Sequence, residues 1–71
     1  MGDEMLEFNG EVKEVSQNAC LINVDGVTGW VPDSLADYVD EPEVGKEIVF
    51  FIPEWLAEKK GFLDEDWKTN L

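Results

Sequence analysis

Ala19-Cys20-Leu21-Ile22-Asn23-Val24-Asp25-Gly26-Val27-Thr28-Gly29-Trp30-Val31-Pro32 is the stretch on which the fold turns. An Asp-Gly pair between two β-rich runs suits a two-residue type I′ hairpin loop, because both central positions need positive φ. Centring the loop on Asp25 and Gly26 sets the register. Val24 then faces Val27, Ile22 faces Gly29 and Cys20 faces Val31 on one side. Asn23 faces Thr28 and Leu21 faces Trp30 on the other. The first side is apolar and is the expected core face. The second mixes an apolar pair with a polar pair, as in a sheet that either packs something outside or keeps an exposed patch.

Upstream, residues 6–15 alternate, with Leu6, Phe8 and Val12 on one face. Gly10 falls on that face and is expected to mark a bulge or sharp bend. Ser16-Gln17-Asn18 reads as a turn. Downstream, Pro32 ends the strand, and Asp33 or Ser34 can cap a short helical turn through Leu35, Ala36, Tyr38 and Val39. Asp40-Glu41-Pro42-Glu43 is an acidic turn. Ile48-Val49-Phe50-Phe51-Ile52 is a nearly continuous apolar run, expected as a strand buried on both sides. Pro53 suits the first position of a helix over residues 54–60, with Glu54 at its positive end and Lys59 and Lys60 at its negative end. Gly61 suits a left-handed cap with Phe62 folding back. Trp55 and Leu56 are the expected buried stripe.

The expected architecture is a single domain over 1–71, mainly β: a small OB-like barrel of four to five strands with short helical turns and a C-terminal helix. A smaller five-strand barrel without a long helix is the second choice. Residues 1–5 and 64–71 are expected to be mobile. The expected core is Phe8, Val12, Ile22, Val24, Val31, Ile48, Phe50 and Ile52, joined by Leu56.

Charge limits the functions. There are 17 Asp and Glu against 5 Lys, with no Arg and no His, in 71 residues, a net charge of -12. Such a surface repels nucleic acid, nucleotide phosphates and anionic membranes and attracts cations and basic protein surfaces. An apolar fraction of 44% is too high for a disordered acidic tail. Cys20 is the sole cysteine, so no internal disulfide forms, and a buried structural thiol in a reducing cytoplasm is expected. A nucleophilic role would need a basic partner, and the chain has no His. No run approaches the roughly 20 apolar residues of a membrane span. The start, Met1-Gly2-Asp3-Glu4-Met5-Leu6, lacks the pattern of a signal peptide, and Leu6 stands where a myristoylation motif wants Ser or Thr.

Two segments carry a resemblance: residues 19–34, ending Trp30-Val31-Pro32-Asp33-Ser34, and Ile52-Pro53-Glu54-Trp55-Leu56-Ala57-Glu58-Lys59-Lys60-Gly61. Together they resemble a loose set of small bacteriophage and bacterial proteins. Those proteins have an acidic-Gly hairpin ending Trp-aliphatic-Pro-x-Ser and a late Ile-Pro-Glu-Trp-Leu-Ala helix. Most of that set has no assigned function, so the resemblance implies a phage or bacterial source and a small barrel rather than an activity.

No cofactor is expected, and no metal site, since Asp64-Glu65-Asp66 lacks the surrounding calcium loop. With so many carboxylates, any pairing of two is uninformative about acid–base catalysis, and no enzymatic activity is expected. Trp30 either packs with Leu21 against the C-terminal helix or stands exposed as a stacking platform or protein anchor. Trp67 lies in the polar tail and could anchor a partner.

The expected function is a non-enzymatic acidic interaction module, phage-encoded, that binds a basic surface of a nucleic-acid-handling protein as a DNA mimic. A globular chain of this length is about 28 Å across, and DNA of that length carries roughly 16 charges. Candidate contacts are Asp37, Asp40, Glu41 and Glu43, with Trp30, Leu21 and Trp67. The alternatives are a barrel that stacks single-stranded nucleic acid on Trp30 and a structural subunit that covers an assembly edge through Trp30 and Leu21. Direct nucleic-acid binding is not favoured, because affinity there rests on Lys and Arg.

Overall fold

Period-two alternation builds the first strand. The computed structural model describes residues 4–63. Strand β1 (Met5–Val15) turns Leu6, Phe8, Gly10 and Val12 inward and Glu7, Asn9 and Glu11 outward. It is followed by β2 (Ala19–Val24), β3 (Val27–Pro32), a 3-10 turn (Asp33–Leu35), β4 (Asp37–Tyr38), β5 (Glu47–Pro53) and helix α1 (Glu54–Lys60). The sheet order is β3-β2-β1-β5-β4, antiparallel at each pairing. The hairpin register is the one read from Asp25-Gly26, pair for pair. Asp25 and Gly26 have φ of 51° and 87°. The Asn23 side chain locks the turn, accepting from Gly26 N–H at 3.1 Å and donating to Thr28 Oγ1 at 2.8 Å.

β1 is shared. Residues 5–11 pair with β5, and Glu11, Val12, Glu14 and Val15 pair with β2. The register shifts between Val12 and Glu14, so the bulge falls at Lys13 and not at Gly10. Gly10 is needed for close approach. A Cβ there would stand 2.5 Å from Ile22 Cγ2 and 2.8 Å from the Asn23 carbonyl oxygen.

The sheet is open, and β3 and β4 are its edges. The fold is mainly β: a five-strand antiparallel sheet that does not close on itself, with one C-terminal helix. Flat, its edges would lie about 19 Å apart, four strand spacings. The connection over residues 33–36 reaches about 18 Å at full extension, and three of its residues are wound into the 3-10 turn. The sheet must curl until its edges approach. The expected helical turn through Leu35, Ala36, Tyr38 and Val39 is corrected. It stops at Leu35, because Asp37 and Tyr38 pair with Phe51 and Phe50, and Val39 N–H donates to the Val49 carbonyl at 3.0 Å.

The curl encloses a core of Val12, Cys20, Ile22, Val24, Val31, Ile48, Phe50, Ile52, Leu56, Ala57 and Phe62. Phe8 packs against it half-buried. Phe50, fully buried, lies 5.9 Å from the Phe8 ring, 6.3 Å from Tyr38 and 6.5 Å from Phe62, aromatic spacings that add to burial alone. Helix α1 ends as expected: Gly61 has φ of 81°, its N–H meets the Glu58 carbonyl, and Phe62 N–H meets the Ala57 carbonyl at 2.9 Å. This double closure turns Phe62 into the core.

Three further expectations are corrected. Pro53 is the last residue of β5 and precedes the helix, in extended conformation at ψ 147°. Trp55 is 43% exposed, and Ala57 takes its place beside Leu56 against the sheet. Met5 is not frayed: it pairs with Pro53, and the Glu4 carbonyl accepts from Glu54 N–H at 2.8 Å. The expected mobile tail, with Trp67 and Asp64-Glu65-Asp66, lies outside the described residues.

Candidate interaction face

Outward residues of adjacent strands fall into rows because the register aligns them. One row runs Trp30, Leu21, Glu14 across β3, β2 and β1. The next runs Thr28, Asn23, Glu11, Glu47 across four strands. A third runs Glu7, Phe51, Asp37 across β1, β5 and β4. The solvent face thus carries Glu7, Glu11, Glu14, Glu47 and Asp37, all exposed, around the half-buried Leu21, Val49 and Phe51.

Glu11 and Glu47 stand directly opposite each other. Like charges in that position destabilise a sheet. Lys13, the bulge residue, offsets part of this by holding Glu11 Oε1 at 3.1 Å, both side chains being about half exposed. Lys46, next to Glu47 in the chain, pairs with Glu43 at 3.8 Å.

The sequence-predicted residues separate into groups. Trp30 and Leu21 face each other as neighbours on β3 and β2, and Trp30 is 39% exposed. Asp37 lies on the opposite edge, beside Phe51. Asp40 acts within the fold, where its carboxylate accepts from Val49 N–H at 3.4 Å and fastens the β4–β5 connection. Glu41 and Glu43 are exposed in that connection. Glu7, Glu11, Glu14 and Glu47 were missed. The outward alternation of Glu7 and Glu11 is legible in β1, but their meeting with Glu47 and Asp37 needs the pairing of β1 and β4 with β5.

Behind the face, Asp33 Oδ1 accepts from the Tyr38 hydroxyl at 3.0 Å and lies 3.7 Å from Cys20 Sγ. Burial pushes both the Tyr38 hydroxyl and the Cys20 thiol above their ordinary ranges, and the hydrogen bond to Asp33 acts in the same direction. A neutral, enclosed thiol is a packing group and a poor nucleophile. Among the described residues no three Asp, Glu or Cys side chains gather as a metal site, and no helix is long and apolar enough to cross a membrane. Comparisons of the chain with protein-family models, with curated proteins and with solved structures found no match.

Proposed function

We propose that the protein is a non-enzymatic, phage-encoded interaction module of the cytoplasm that binds a basic surface of a nucleic-acid-handling protein in place of nucleic acid. The carrying observation is the juxtaposition of Glu11 and Glu47 within the acidic rows of the sheet. Solubility asks for net charge and not for like charges placed opposite one another at a cost to stability. A partner's Lys or Arg side chains relieve that repulsion on binding. Size supports the same reading. The body is 34 × 23 × 18 Å, and DNA of the longest dimension carries roughly 20 charges, the same order as the net -12. The fold that goes with this reading is an OB-like barrel whose gap is spanned by residues 33–36.

The test is affinity capture from bacterial lysate, followed by competition. The captured partner's grip on DNA should weaken as the protein is added, and the effect should fade with salt. Glu11→Lys with Glu47→Lys should weaken competition more than Glu41→Lys with Glu43→Lys. Direct micromolar binding of single-stranded oligonucleotide at physiological salt would sink the proposal. That outcome belongs to a second reading favoured by the exposure of Trp30, in which bases stack on the indole and Trp30→Ala abolishes binding. In a third, Trp30 and Leu21 cover an assembly edge, and the charge reversals have no effect.

A further inference from the structure

The β3 edge of the sheet is built unlike the rest of the surface. In a two-residue hairpin Val24 and Val27 exchange hydrogen bonds, and the alternation continues at Ile22 with Gly29 and Cys20 with Val31. The N–H and C=O groups of Thr28 and Trp30 therefore point away from β2, along the open edge. Among the described residues, no backbone hydrogen bond outside the strand ladders reaches either residue. Proteins usually guard such an edge with Lys, other charges or an interior Pro. β3 has none: Val27-Thr28-Gly29-Trp30-Val31 is uncharged, in a chain with 17 carboxylates, and its Pro32 sits at the end.

We infer that β3 is a docking edge for an extended, arginine-bearing segment of the partner, which adds to the sheet as a new strand. This rests on the basic-partner reading above. A second copy of the chain is a poor occupant, because two bodies of net charge -12 repel. A basic segment is attracted by the same charge. The two faces of the edge set its pattern. On the inner face Lys60 lies over Gly29, its Cδ 3.5 Å from where a Cβ would stand, so a cation is unwelcome there. On the outer face the exposed Trp30 offers an indole to a guanidinium, in the field of Glu14 and Glu11. The segment should alternate, with arginines over the Trp30 face and aliphatic residues on the side of Val27 and Val31. Main-chain bonds to Thr28 and Trp30 hold it, and alternate side chains select it.

The experiment uses the full chain, isotopically labelled, and two probe peptides of equal charge: one alternating Arg and Val, the other the same peptide N-methylated at its arginines. The Arg-Val peptide should protect the Thr28 and Trp30 amides from hydrogen exchange. The N-methylated peptide, lacking the N–H donors that face Thr28 and Trp30, should bind about tenfold more weakly, the scale of two lost backbone hydrogen bonds. Thr28→Pro removes an outward N–H at an edge position where proline is tolerated, together with the hydroxyl that accepts from Asn23, and should weaken Arg-Val binding well beyond Thr28→Val, which loses the hydroxyl alone. Equal binding of both peptides, with Thr28 and Trp30 unprotected, overturns strand addition and leaves the basic-surface reading standing. Failure of both peptides to bind at low salt overturns the two together.

Discussion

The Tyr38 hydroxyl donates a hydrogen bond to Asp33 Oδ1 at 3.0 Å. It ties β4, one edge of the sheet, to the turn that leaves β3, the other edge. Cys20 Sγ reaches the same oxygen at 3.7 Å, and Asp33 N–H donates to the Asn18 carbonyl at 2.9 Å. Asp33 thus fastens the curl across its open gap. Tyr38→Phe keeps the ring against Phe50 and removes the bond. It should lower stability by about 1 kcal/mol, read from the urea midpoint at unchanged slope.

The same bond sets an alkaline limit. The folded protein holds Tyr38 protonated above its ordinary value of 10.0, first through burial and then through hydrogen bonding with Cys20 and Asp33. The unfolded chain loses that proton sooner, so above pH 10 the native state binds more protons and stability falls with rising pH. The contribution is fully present below pH 10. Cys20, raised from 9.0 mainly by burial, acts in the same direction from a lower pH. Urea titrations from pH 8 to 11 should show the decline, and Tyr38→Phe should flatten its upper part. An identical slope in the variant would count against the assignment.

Gly10→Ala should be among the more damaging single changes. Its Cβ would meet the Asn23 carbonyl oxygen at 2.8 Å, and backbone cannot yield as a side chain does. Overpacking of this kind costs about 1–3 kcal/mol, a large share of the roughly 3–5 kcal/mol open to so small a core. Thermal unfolding followed by circular dichroism measures it. Gly61→Val tests the helix end in the same way, with an expected loss of about 1 kcal/mol or more at φ 81°.

Glu47→Lys turns the Glu11–Glu47 repulsion into attraction. It should stabilise the protein by about 0.2–1 kcal/mol while weakening competition with DNA for the partner. In the unaltered protein the melting temperature should rise with NaCl, since salt screens surface charges beyond about 10 Å at 0.1 M. The rise should be smaller in Glu47→Lys. A variant that gains stability and keeps full competition would separate the acidic rows from function.

Cys20 is 1% exposed. Alkylation of its thiol should proceed only through opening of the sheet, so the rate should follow the unfolding equilibrium across a urea series. Rapid modification in the absence of denaturant would place the thiol at an accessible surface.

What the sequence by itself determined is local. The hairpin register at Asp25-Gly26, the turn at Ser16-Gln17-Asn18, the inward set of β1 and the Gly61 cap each depend on residues a few positions apart, where turn chemistry and period-two alternation act directly, whereas the continuous apolar run of β5, expected to be buried on both sides, leaves Val49 and Phe51 half-buried on the outer face. Tertiary structure decided the rest. Trp55, Leu56 and Ala57 are three consecutive apolar residues on a short helix, and only the helix's seat against the sheet turns Ala57 inward and Trp55 outward. Asp37 and Tyr38 became a strand because β5 offered an unpaired edge, a condition absent from their neighbourhood in sequence. Gly10 reads as a bend until Asn23 is placed beside it. The juxtaposition of Glu11 with Glu47 and the open edge at Thr28 and Trp30 have the same origin. Each depends on which strands meet and which are left without a neighbour, and non-local pairing sets both by burying the most apolar surface the chain can enclose.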